Sequence, residues 1–294
     1  MFSAITISLV PEARGGPFVF WNDLARSCQT AAQLGFDAVE IFPRSAEELD
    51  APHVRDLLRK NHLRLAAVGT GAGWVVGKLR LTDPNPEIRR RAIDFVAAII
   101  SFAGTFNAPA IVGSMQGRWG EDQVTREQSL AWLAEALEQL APRAHALGVP
   151  LLLEPLNRYE TNLLNSMEAT LRFLEGLRTR NIRVLADLFH MNIEEESIPA
   201  ALRQAGPLLG HLHFADSNRR AVGFGHAPLG PIAQTLREME YQGGISAEIL
   251  PWPDSEAAAR QTIAAYRQHF VSQATNTDIR AHYAQTPAHP SKDQ

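Results

Sequence analysis

The chain has 294 residues, of which 45% are hydrophobic, and it carries a formal net charge of −4. This length and apolar content suffice for one large core, and a single barrel domain commonly has this size. The charge balance gives no indication of a basic surface, so we expect no nucleic-acid partner. The N-terminal residues contain no basic stretch and no long apolar run, which predicts no signal peptide, no membrane span and a cytoplasmic protein.

Two residue types are scarce enough to narrow the chemistry. Cys28 is the only cysteine, so an intrachain disulfide is excluded. It lies in an apolar helical pattern, and we interpret it as a core residue rather than a nucleophile. The three lysines, Lys60, Lys78 and Lys292, lie outside every predicted strand. Aldolase chemistry through a Schiff base needs a lysine in the site, and this placement disfavours it.

In the first half of the chain, short apolar runs alternate with helical patterns. The predicted strands are residues 4–9, 38–42, 63–68 and 109–113, and the predicted helices are 22–34, 45–61 and a third that begins after Pro84. Asn22 or Asp23 is the predicted cap of the first helix. Glu40 lies within the second strand, where a structural role or support of a ligand residue is as compatible with the sequence as a substrate contact.

Two tryptophans follow the third and fourth strands and are candidates for a substrate pocket. Trp74 comes after the glycine-rich stretch Gly69–Gly73, and Trp119 lies in the next strand's loop. The glycine-rich stretch is not a phosphate-binding P-loop, because no Gly-Lys-Ser/Thr follows it. Each indole could pack on the apolar face of a sugar or could instead anchor its own loop.

The second half continues the alternation. Thr125 is predicted to cap a long helix, which Pro142 should kink or break. Ser166 and Ser255 are predicted caps of later helices. The remaining predicted helices are residues 199–205 and 231–239. From residue 273 the chain is polar without a core pattern, so we expect a domain at 1–272 and a tail at 273–294.

Four consecutive strands in this half end in residues that commonly bind metals. Leu151-Leu152-Leu153 is an apolar run followed at once by Glu154, and the same pattern recurs at Asp187, His213 and Glu248. The intervals between these four residues are 33, 26 and 35, each of which suits one helix and one strand. With the first half, this gives eight strands alternating with helices, which predicts a (β/α)8 TIM barrel. Because the first turn lacks G-x-G-x-x-G, we expect no dinucleotide site.

The strand ends of such a barrel converge on one face. Glu154, Asp187, His213 and Glu248 would therefore form an oxygen-rich set with one imidazole, which suits Mn²⁺, Mg²⁺ or Co²⁺ and also accepts Zn²⁺. The alternative is four unrelated polar strand ends held by hydrogen bonds. Two carboxylates at one metal permit removal of a proton next to a carbonyl and its return on the opposite face.

Three further residues lie close to this set in the sequence. His190 and Arg219 are candidates for contacts with a substrate hydroxyl or carbonyl. Glu160 lies in the loop after Glu154 and could bind a substrate hydroxyl or pair with Arg158. The strand-eight loop, Pro251-Trp252-Pro253, has no glycine, which disfavours the usual phosphate site of barrels.

The motifs of the second half resemble the xylose-isomerase-like TIM-barrel superfamily. Within it they are most similar to the D-tagatose 3-epimerase and D-psicose (allulose) 3-epimerase group. The matching segments are Glu154-Pro-Leu-Asn-Arg-Tyr-Glu160, Asp187-Leu-Phe-His190, His211-Leu-His213-Phe-Ala-Asp216-Ser-Asn-Arg219 and Ala247-Glu248. The resemblance implies that Glu154, Asp187, His213 and Glu248 bind one divalent ion, Mn²⁺ above the others. It also implies that Glu154 and Glu248 are the acid/base pair, with Glu160, His190 and Arg219 as substrate contacts.

One departure from the group's pattern affects the loop after the seventh strand. The group often has Gly-x-Gly-His-x-Asp there, whereas Gly223-Phe-Gly225-His226-Ala-Pro228 places proline at the aspartate position. This bears on loop geometry and substrate choice more than on the metal ligands.

We therefore expect a metal-dependent epimerase acting at C3 of a free ketose, with a homodimer or a homotetramer as its candidate assemblies. The alternatives on the same barrel are a dehydroshikimate- or inosose-dehydratase-like lyase and a hydroxypyruvate or aldose–ketose isomerase. An endonuclease IV-like DNA repair enzyme would need more His and Asp ligands and a basic face. A non-catalytic sugar-binding protein is the fourth alternative, and a turnover assay distinguishes it from the enzymes.

Overall fold

The computed structural model describes residues 1–120 and 123–271. Within them, nine parallel strands form one sheet, and pairing of the first strand with the last closes it into a barrel. The strands are β1 (Phe2–Ser8), β2 (Phe20–Trp21), β3 (Ala38–Phe42), β4 (Arg64–Gly69), β5 (Ala110–Val112), β6 (Leu151–Leu153), β7 (Ile182–Asp187), β8 (Leu209–His213) and β9 (Gly244–Ala247). The two-residue β2 pairs only with the end of β1, so eight strands make the barrel. The predicted TIM barrel is confirmed.

Helices follow most of the strands and cover the outside of the barrel. They are α1 (Leu24–Leu34), α2 (Ala51–Lys60), α3 (Ala72–Val75), α4 (Pro86–Gly104), α5 (Arg126–Ala146), α6 (Met167–Glu175), α7 (Leu188–Glu194), α8 (Ile198–Ala205), α9 (Leu229–Glu238) and α10 (Ser255–Phe270). In the described part of the chain, none of these helices has the length and apolar character needed to cross a membrane.

The strand β6 shows why apolar runs form the barrel. Leu151 and Leu153 belong to the large core between sheet and helices, whereas Leu152 packs inside the barrel with Ala67, Ile111 and Leu185. Both faces of the strand are therefore buried, which explains an unbroken apolar run rather than an alternating one. The run ends where the barrel opens, and this places the next residue, Glu154, at the mouth.

Most predicted helix starts are confirmed by their caps. The side chains of Asp23, Thr125 and Ser166 accept hydrogen bonds from the first turns of α1, α5 and α6. The last helix is an exception, because Asp254 rather than Ser255 caps α10. Asp and Ser are both good caps, and Asp254, the earlier of the two in the chain, takes the cap position.

Three other predictions differ from the structure. Pro142 was predicted to kink or break its helix; α5 continues through Pro142 to Ala146, so the break does not occur. Buried Leu137, Leu140 and Ala144 keep this stretch packed on the core, which offsets the one lost backbone hydrogen bond. The helix α2 starts at Ala51 rather than near 45, with Pro52 in the first turn, where its missing N–H costs nothing. The short helices α3 and α7 were not predicted, and the tail at 273–294 lies outside the described residues.

Candidate metal centre and active site

The four candidate ligands lie together at the carboxyl ends of β6 to β9. Glu154 and Glu248 directly follow β6 and β9, and Asp187 and His213 are the last residues of β7 and β8. Their side chains converge on Nδ1 of His213. This nitrogen lies 3.2 Å from Oδ2 of Asp187, 3.4 Å from Oε1 of Glu154 and 3.6 Å from Oε2 of Glu248.

Each of these three distances from Nδ1 suits a pair of ligand atoms on one divalent cation, and ligand atoms of Asp187, His213 and Glu248 all lie within 4.8 Å of one another. Bonds of about 2.0–2.3 Å around one ion place neighbouring ligand atoms roughly 3.0–3.6 Å apart. A second observation supports the fit: Oε1 of Glu154 is buried and accepts no hydrogen bond from the described residues. A buried carboxylate oxygen without a donor is costly unless a cation faces it. Three carboxylates and one imidazole could therefore hold such an ion.

The other nitrogen of His213 faces a carboxylate inside the barrel. Nε2 of His213 lies 3.2 Å from Oε1 of Glu40, and Nε2 of His211 lies 2.8 Å from Oε2 of the same residue. Burial alone would raise the pKa of Glu40, but the charges and hydrogen bonds of the two histidines lower it below its usual range. The structure thus gives Glu40 contacts within the barrel wall, although Glu40 also borders the cavity described below.

Arg219 bridges two of the candidate ligands. Its NH1 lies 2.5 Å from Oδ2 of Asp187, and its NH2 contacts Oε2 of Glu248. Burial alone would raise the pKa of Asp187, but the Arg219 charge and His190 lower it below its usual range. Burial raises the pKa of Glu248 to about 7, with Arg219 and His213 acting in the opposite direction. The two carboxyls therefore differ strongly in proton affinity within the metal-free protein.

The local backbone explains how Arg219 reaches this position. Arg219 has a φ of +62°, in the left-handed region that a non-glycine residue enters at a cost. Asp216 holds the turn, because its carboxylate accepts hydrogen bonds from the backbone N–H groups of Ser217, Gly223 and Ala227. This anchor also fixes the loop in which Pro228 replaces the group's usual aspartate. Pro228 itself precedes α9 without forming a side-chain cap.

His190 is held in one tautomer. Its Nδ1 lies 3.3 Å from the backbone N–H of Asn157, which can only donate, and 2.7 Å from the side-chain amide nitrogen of Asn157. Nδ1 is therefore the acceptor, and the neutral ring carries its proton on Nε2. Nε2 lies 3.9 Å from Oδ2 of Asp187 and 4.0 Å from Oε1 of Glu154. The side chain thus presents an N–H donor to the metal centre.

Glu160 lies at the rim rather than among the ligands. Its side chain is 50% exposed, with Oε1 3.9 Å from Nδ1 of His190 and 3.4 Å from the amide nitrogen of Asn157. The pairing with Arg158 that the sequence left open does not form, because Arg158 binds Glu194 instead. Glu160 is therefore free to face a substrate.

A cavity of about 700 Å³ is lined by three of the four candidate ligands, Glu154, His213 and Glu248. Trp74 lines it, and Lys78 and Arg80 lie 5.0 and 5.6 Å from the Trp74 ring centre. Trp119, the second tryptophan that we expected here, is absent from the described lining. Its indole N–H donates to the backbone oxygen of Asn162, and the side chain is 38% exposed. Trp119 therefore anchors its loop to the neighbouring loop, and of the two tryptophans only Trp74 lines the cavity.

Three contributors to the site were not assigned a role from the sequence. Asn157 orients His190, Thr6 donates to Glu40 over 3.0 Å, and the side chain of Phe189 packs against the guanidinium of Arg219 at 5.0 Å. Asn157 and Phe189 lie inside the quoted motifs, so their neighbours could have drawn attention to them. Thr6 offered no such signal, because a threonine in a buried strand is ordinary.

Comparison with known proteins places the chain in a family. The sequence profile of the xylose isomerase-like TIM barrel matches residues 28–269, which is most of the chain. The chain belongs to this family. D-psicose 3-epimerase of Ruminiclostridium cellulolyticum is 34% identical over 244 residues, spanning 79% of this chain and 81% of that protein. The 3-dehydro-D-guloside 4-epimerase of Escherichia coli K12 is 36% identical over 231 residues, spanning 74% and 83%.

Solved structures agree on the fold. A crystal structure of D-psicose 3-epimerase in the presence of D-fructose matches with a TM-score of 0.77 and 24% identity, covering 92% of this chain and 100% of that one. At this identity the likeness concerns the fold alone. The two sequence relatives are both epimerases, and this chain is accordingly an enzyme of the isomerase class.

Proposed function

We propose that the protein is a divalent-metal-dependent sugar epimerase that inverts C3 of a free ketose. The observation that carries the proposal is the approach of two carboxylates, Glu154 and Glu248, to the same ring nitrogen of His213 from non-adjacent strands. The epimerase relatives support the reaction class, and two of them carry names that specify C3 of D-psicose. Lyase or aldose–ketose isomerase chemistry on the same barrel is the alternative, and the assay described below distinguishes them.

In this proposal, Glu154, Asp187, His213 and Glu248 hold the ion, with Mn²⁺ as our expected metal. When bound, a divalent ion polarises the substrate carbonyl and stabilises negative charge on its oxygen. The oxygen-rich ligand set suits Mn²⁺, Mg²⁺ or Co²⁺ better than a thiolate-preferring metal. The unpartnered oxygen of Glu154 supports this assignment.

The reaction would be a proton transfer through an enediolate. One glutamate removes the proton from C3. The electron pair of the broken C3–H bond forms the C2–C3 double bond, and the π pair of the C2 carbonyl moves onto its oxygen. The other glutamate, in its acid form, then returns a proton to the opposite face of C3.

Three further residues would bind the substrate. The Nε2–H of His190 and the guanidinium of Arg219 are donors next to the ligands, and suit a hydroxyl and the developing oxyanion. Glu160 is an acceptor at the rim and suits a hydroxyl farther along the chain of the sugar. A cytoplasmic location, a homo-oligomer and the absence of a nucleic-acid partner remain expectations from the sequence.

The decisive experiment is turnover of a free ketose in D₂O with Mn²⁺, followed by proton NMR of recovered substrate and product. A carboxylic acid exchanges its proton with solvent during the intermediate's lifetime, so we expect deuterium at C3 of the epimerised sugar. A chelated sample should show no exchange. Full retention of hydrogen at C3 with an aldose product would contradict the proposal and favour a hydride shift, and loss of 18 mass units would indicate a dehydratase.

A second substrate is favoured by one specific observation. The relative from E. coli, with 36% identity, is named for a 4-epimerisation of a 3-dehydro-guloside. A 3-keto glycoside contains the same α-hydroxyketone unit as a ketose, so the same two glutamates would invert C4 instead of C3. A panel with free ketoses and 3-keto glycosides, compared by kcat/KM, separates the two substrates.

A further inference from the structure

A buried carboxylate on the far side of a candidate ligand has no part in the chemistry proposed above. Glu40 is 2% exposed and lies in β3, on the opposite side of the barrel from β7. Its two oxygens face three potential donors: the hydroxyl of Thr6 at 3.0 Å, Nε2 of His211 at 2.8 Å and Nε2 of His213 at 3.2 Å.

A carboxylate suits this position because it accepts hydrogen bonds and donates none. Nε2 of His213 must then carry a hydrogen, so in the neutral ring, the form that binds a metal, the lone pair lies on Nδ1 on the other side. That side is where Asp187, Glu154 and Glu248 converge. The tautomer of His213 and the direction of its lone pair are therefore set from within the barrel.

We propose that Glu40 is a positioning residue that fixes the tautomer and ring orientation of His213 for metal binding, with His211 holding Glu40 in place. The inference rests on the proposed function, since it presupposes an ion at the four ligands. Carboxylates that hold a ligating histidine by its second nitrogen typically change metal affinity 10–100-fold when removed. Neither the family profile nor the names of the relatives assign a role to Glu40 or His211.

The same three side chains could instead form a second metal site, because ligand atoms of Glu40, His211 and His213 lie within 4.8 Å of one another. Two observations favour the hydrogen-bonded arrangement. The 2.8 Å contact of His211 with Glu40 is a normal hydrogen bond. Thr6 occupies the other oxygen as a donor. The positioning role of Glu40, called the clamp below, therefore predicts one ion per chain, whereas a second metal site predicts two.

The experiment measures Mn²⁺ affinity and stoichiometry by calorimetry on metal-free protein, with the fold checked by circular dichroism and melting. We expect one ion in wild type and about 10–100-fold weaker binding in Glu40→Gln, since an amide cannot accept from all three donors. Glu40→Asp is a second variant that keeps the charge but shortens the reach, and it should also weaken binding. The comparison variant is Thr6→Val, which removes one donor to Glu40 but no contact of His213 and should weaken Mn²⁺ binding less than Glu40→Gln.

The outcomes separate the two proposals. If wild type binds one ion and folded Glu40→Gln and Glu40→Asp bind it equally well, only the clamp is overturned. A lower melting temperature with unchanged affinity would show a purely structural role, which also overturns it. Two ions in wild type and one in Glu40→Gln would identify a second metal site. If wild type binds no divalent ion, the proposed function fails, and the clamp fails with it.

Discussion

The two halves of the barrel contribute differently to the site. The half formed by β6 to β9 supplies all four candidate ligands at its strand ends. The half formed by β1 to β5 supplies Phe18, Phe42 and Trp74 to the cavity wall, to which the other half adds Tyr159 and Phe189. In the proposed function, the first half would act on the α-hydroxyketone unit, and the second would contact the rest of the substrate. We infer that chemistry and substrate choice are divided between the halves.

The charged residues of the two halves also differ in their partners. Arg219 bridges Asp187 and Glu248, whereas Glu40 contacts histidines within the wall. Changes in the β6–β9 half should therefore alter the rate of the chemical step. Changes in the β1–β5 half should act on metal affinity or on substrate binding. The predictions below test this division, beginning with the largest effect.

The largest effect is expected for Glu154→Gln and Glu248→Gln. The amide is nearly isosteric but cannot exchange the proton, and loss of a general acid/base costs about 10²–10⁴-fold in rate. We expect each variant to lose net epimerisation when metal content is brought to the wild-type level. Steady-state kinetics with measured metal content checks this, and most of the wild-type kcat remaining in either variant would exclude that residue from proton transfer.

An exchange experiment sharpens the same comparison. If each glutamate serves one face of C3, a variant that lacks one should still exchange the C3 proton of one epimer with D₂O. Glu154→Gln and Glu248→Gln should then retain exchange with opposite epimers. Glu194→Gln is a matched control, because Glu194 binds Arg158 outside the ligand set and its loss should leave both exchanges intact.

The second effect concerns Arg219→Lys. Lysine keeps the charge but cannot bridge Asp187 and Glu248 with two separate N–H groups. A misplaced group at a reacting centre costs on the order of 10²-fold, and we expect this loss in kcat/KM. Arg220→Lys is the control, because Arg220 lies over Trp252 at 4.2 Å rather than on the ligands. Equal losses in the two variants would show that general positive charge matters and not the bridge.

The ligand half was the more predictable one because its signal is local. Glu154, Asp187, His213 and Glu248 each lie at or near the carboxyl end of a predicted strand, and the topology of a parallel barrel brings such ends together. The same logic could not fix Glu40, since a carboxylate in mid-strand points inward or outward according to register. Its contact with His211 joins residues 171 positions apart, and only the closed sheet reveals it.

Loop conformation and tertiary packing explain the remaining differences between the sequence predictions and the structure. The sequence offered two equivalent tryptophans, and their places depend on loop conformation, which follows few local rules. Trp119 is fixed by hydrogen bonds to Asn162 from another loop, and no spacing in the sequence indicates that pairing. Pro142 shows the converse, because tertiary packing along α5 overrides a strong local signal.

The third prediction concerns pH and metal stabilisation. The pKa of Glu248 is raised from 4.5 to about 7 in the metal-free fold, so the folded chain holds more protons than the unfolded chain between these values. Stability without metal should therefore fall as pH rises through this window. A divalent ion must displace such protons, so the gain in melting temperature at fixed Mn²⁺ should be larger at pH 8 than at pH 6.

Thermal melts at both pH values, with and without Mn²⁺, check this directly. A difference of one unit between the pKa in the folded and unfolded chain corresponds to about 1.4 kcal/mol in the free energy of unfolding. Each kcal/mol moves the melting temperature by roughly 2–4 °C in a protein of this size class. Glu248→Gln has no carboxyl to titrate and should show a smaller pH dependence of the gain. A larger gain at pH 6 than at pH 8 would mean that the ion does not compete with protons at these ligands.

The smallest effect is expected in the β1–β5 half, where two tryptophans form a natural pair. Trp74 lines the cavity and Trp119 does not, although both follow adjacent strands. If Trp74 only contacts the distant part of the substrate, its loss removes binding shared by the ground state and the transition state. Trp74→Ala should then raise KM about 10-fold, the ratio given by ~1.4 kcal/mol, with kcat nearly unchanged. Trp119→Ala should change neither constant by more than about 2-fold, since its interactions are with its own loops.

Kinetics on the preferred substrate provide the measurement. A fall in kcat for Trp74→Ala as large as that for Arg219→Lys would show that the aromatic half takes part in the chemical step, and the division between the halves would be wrong.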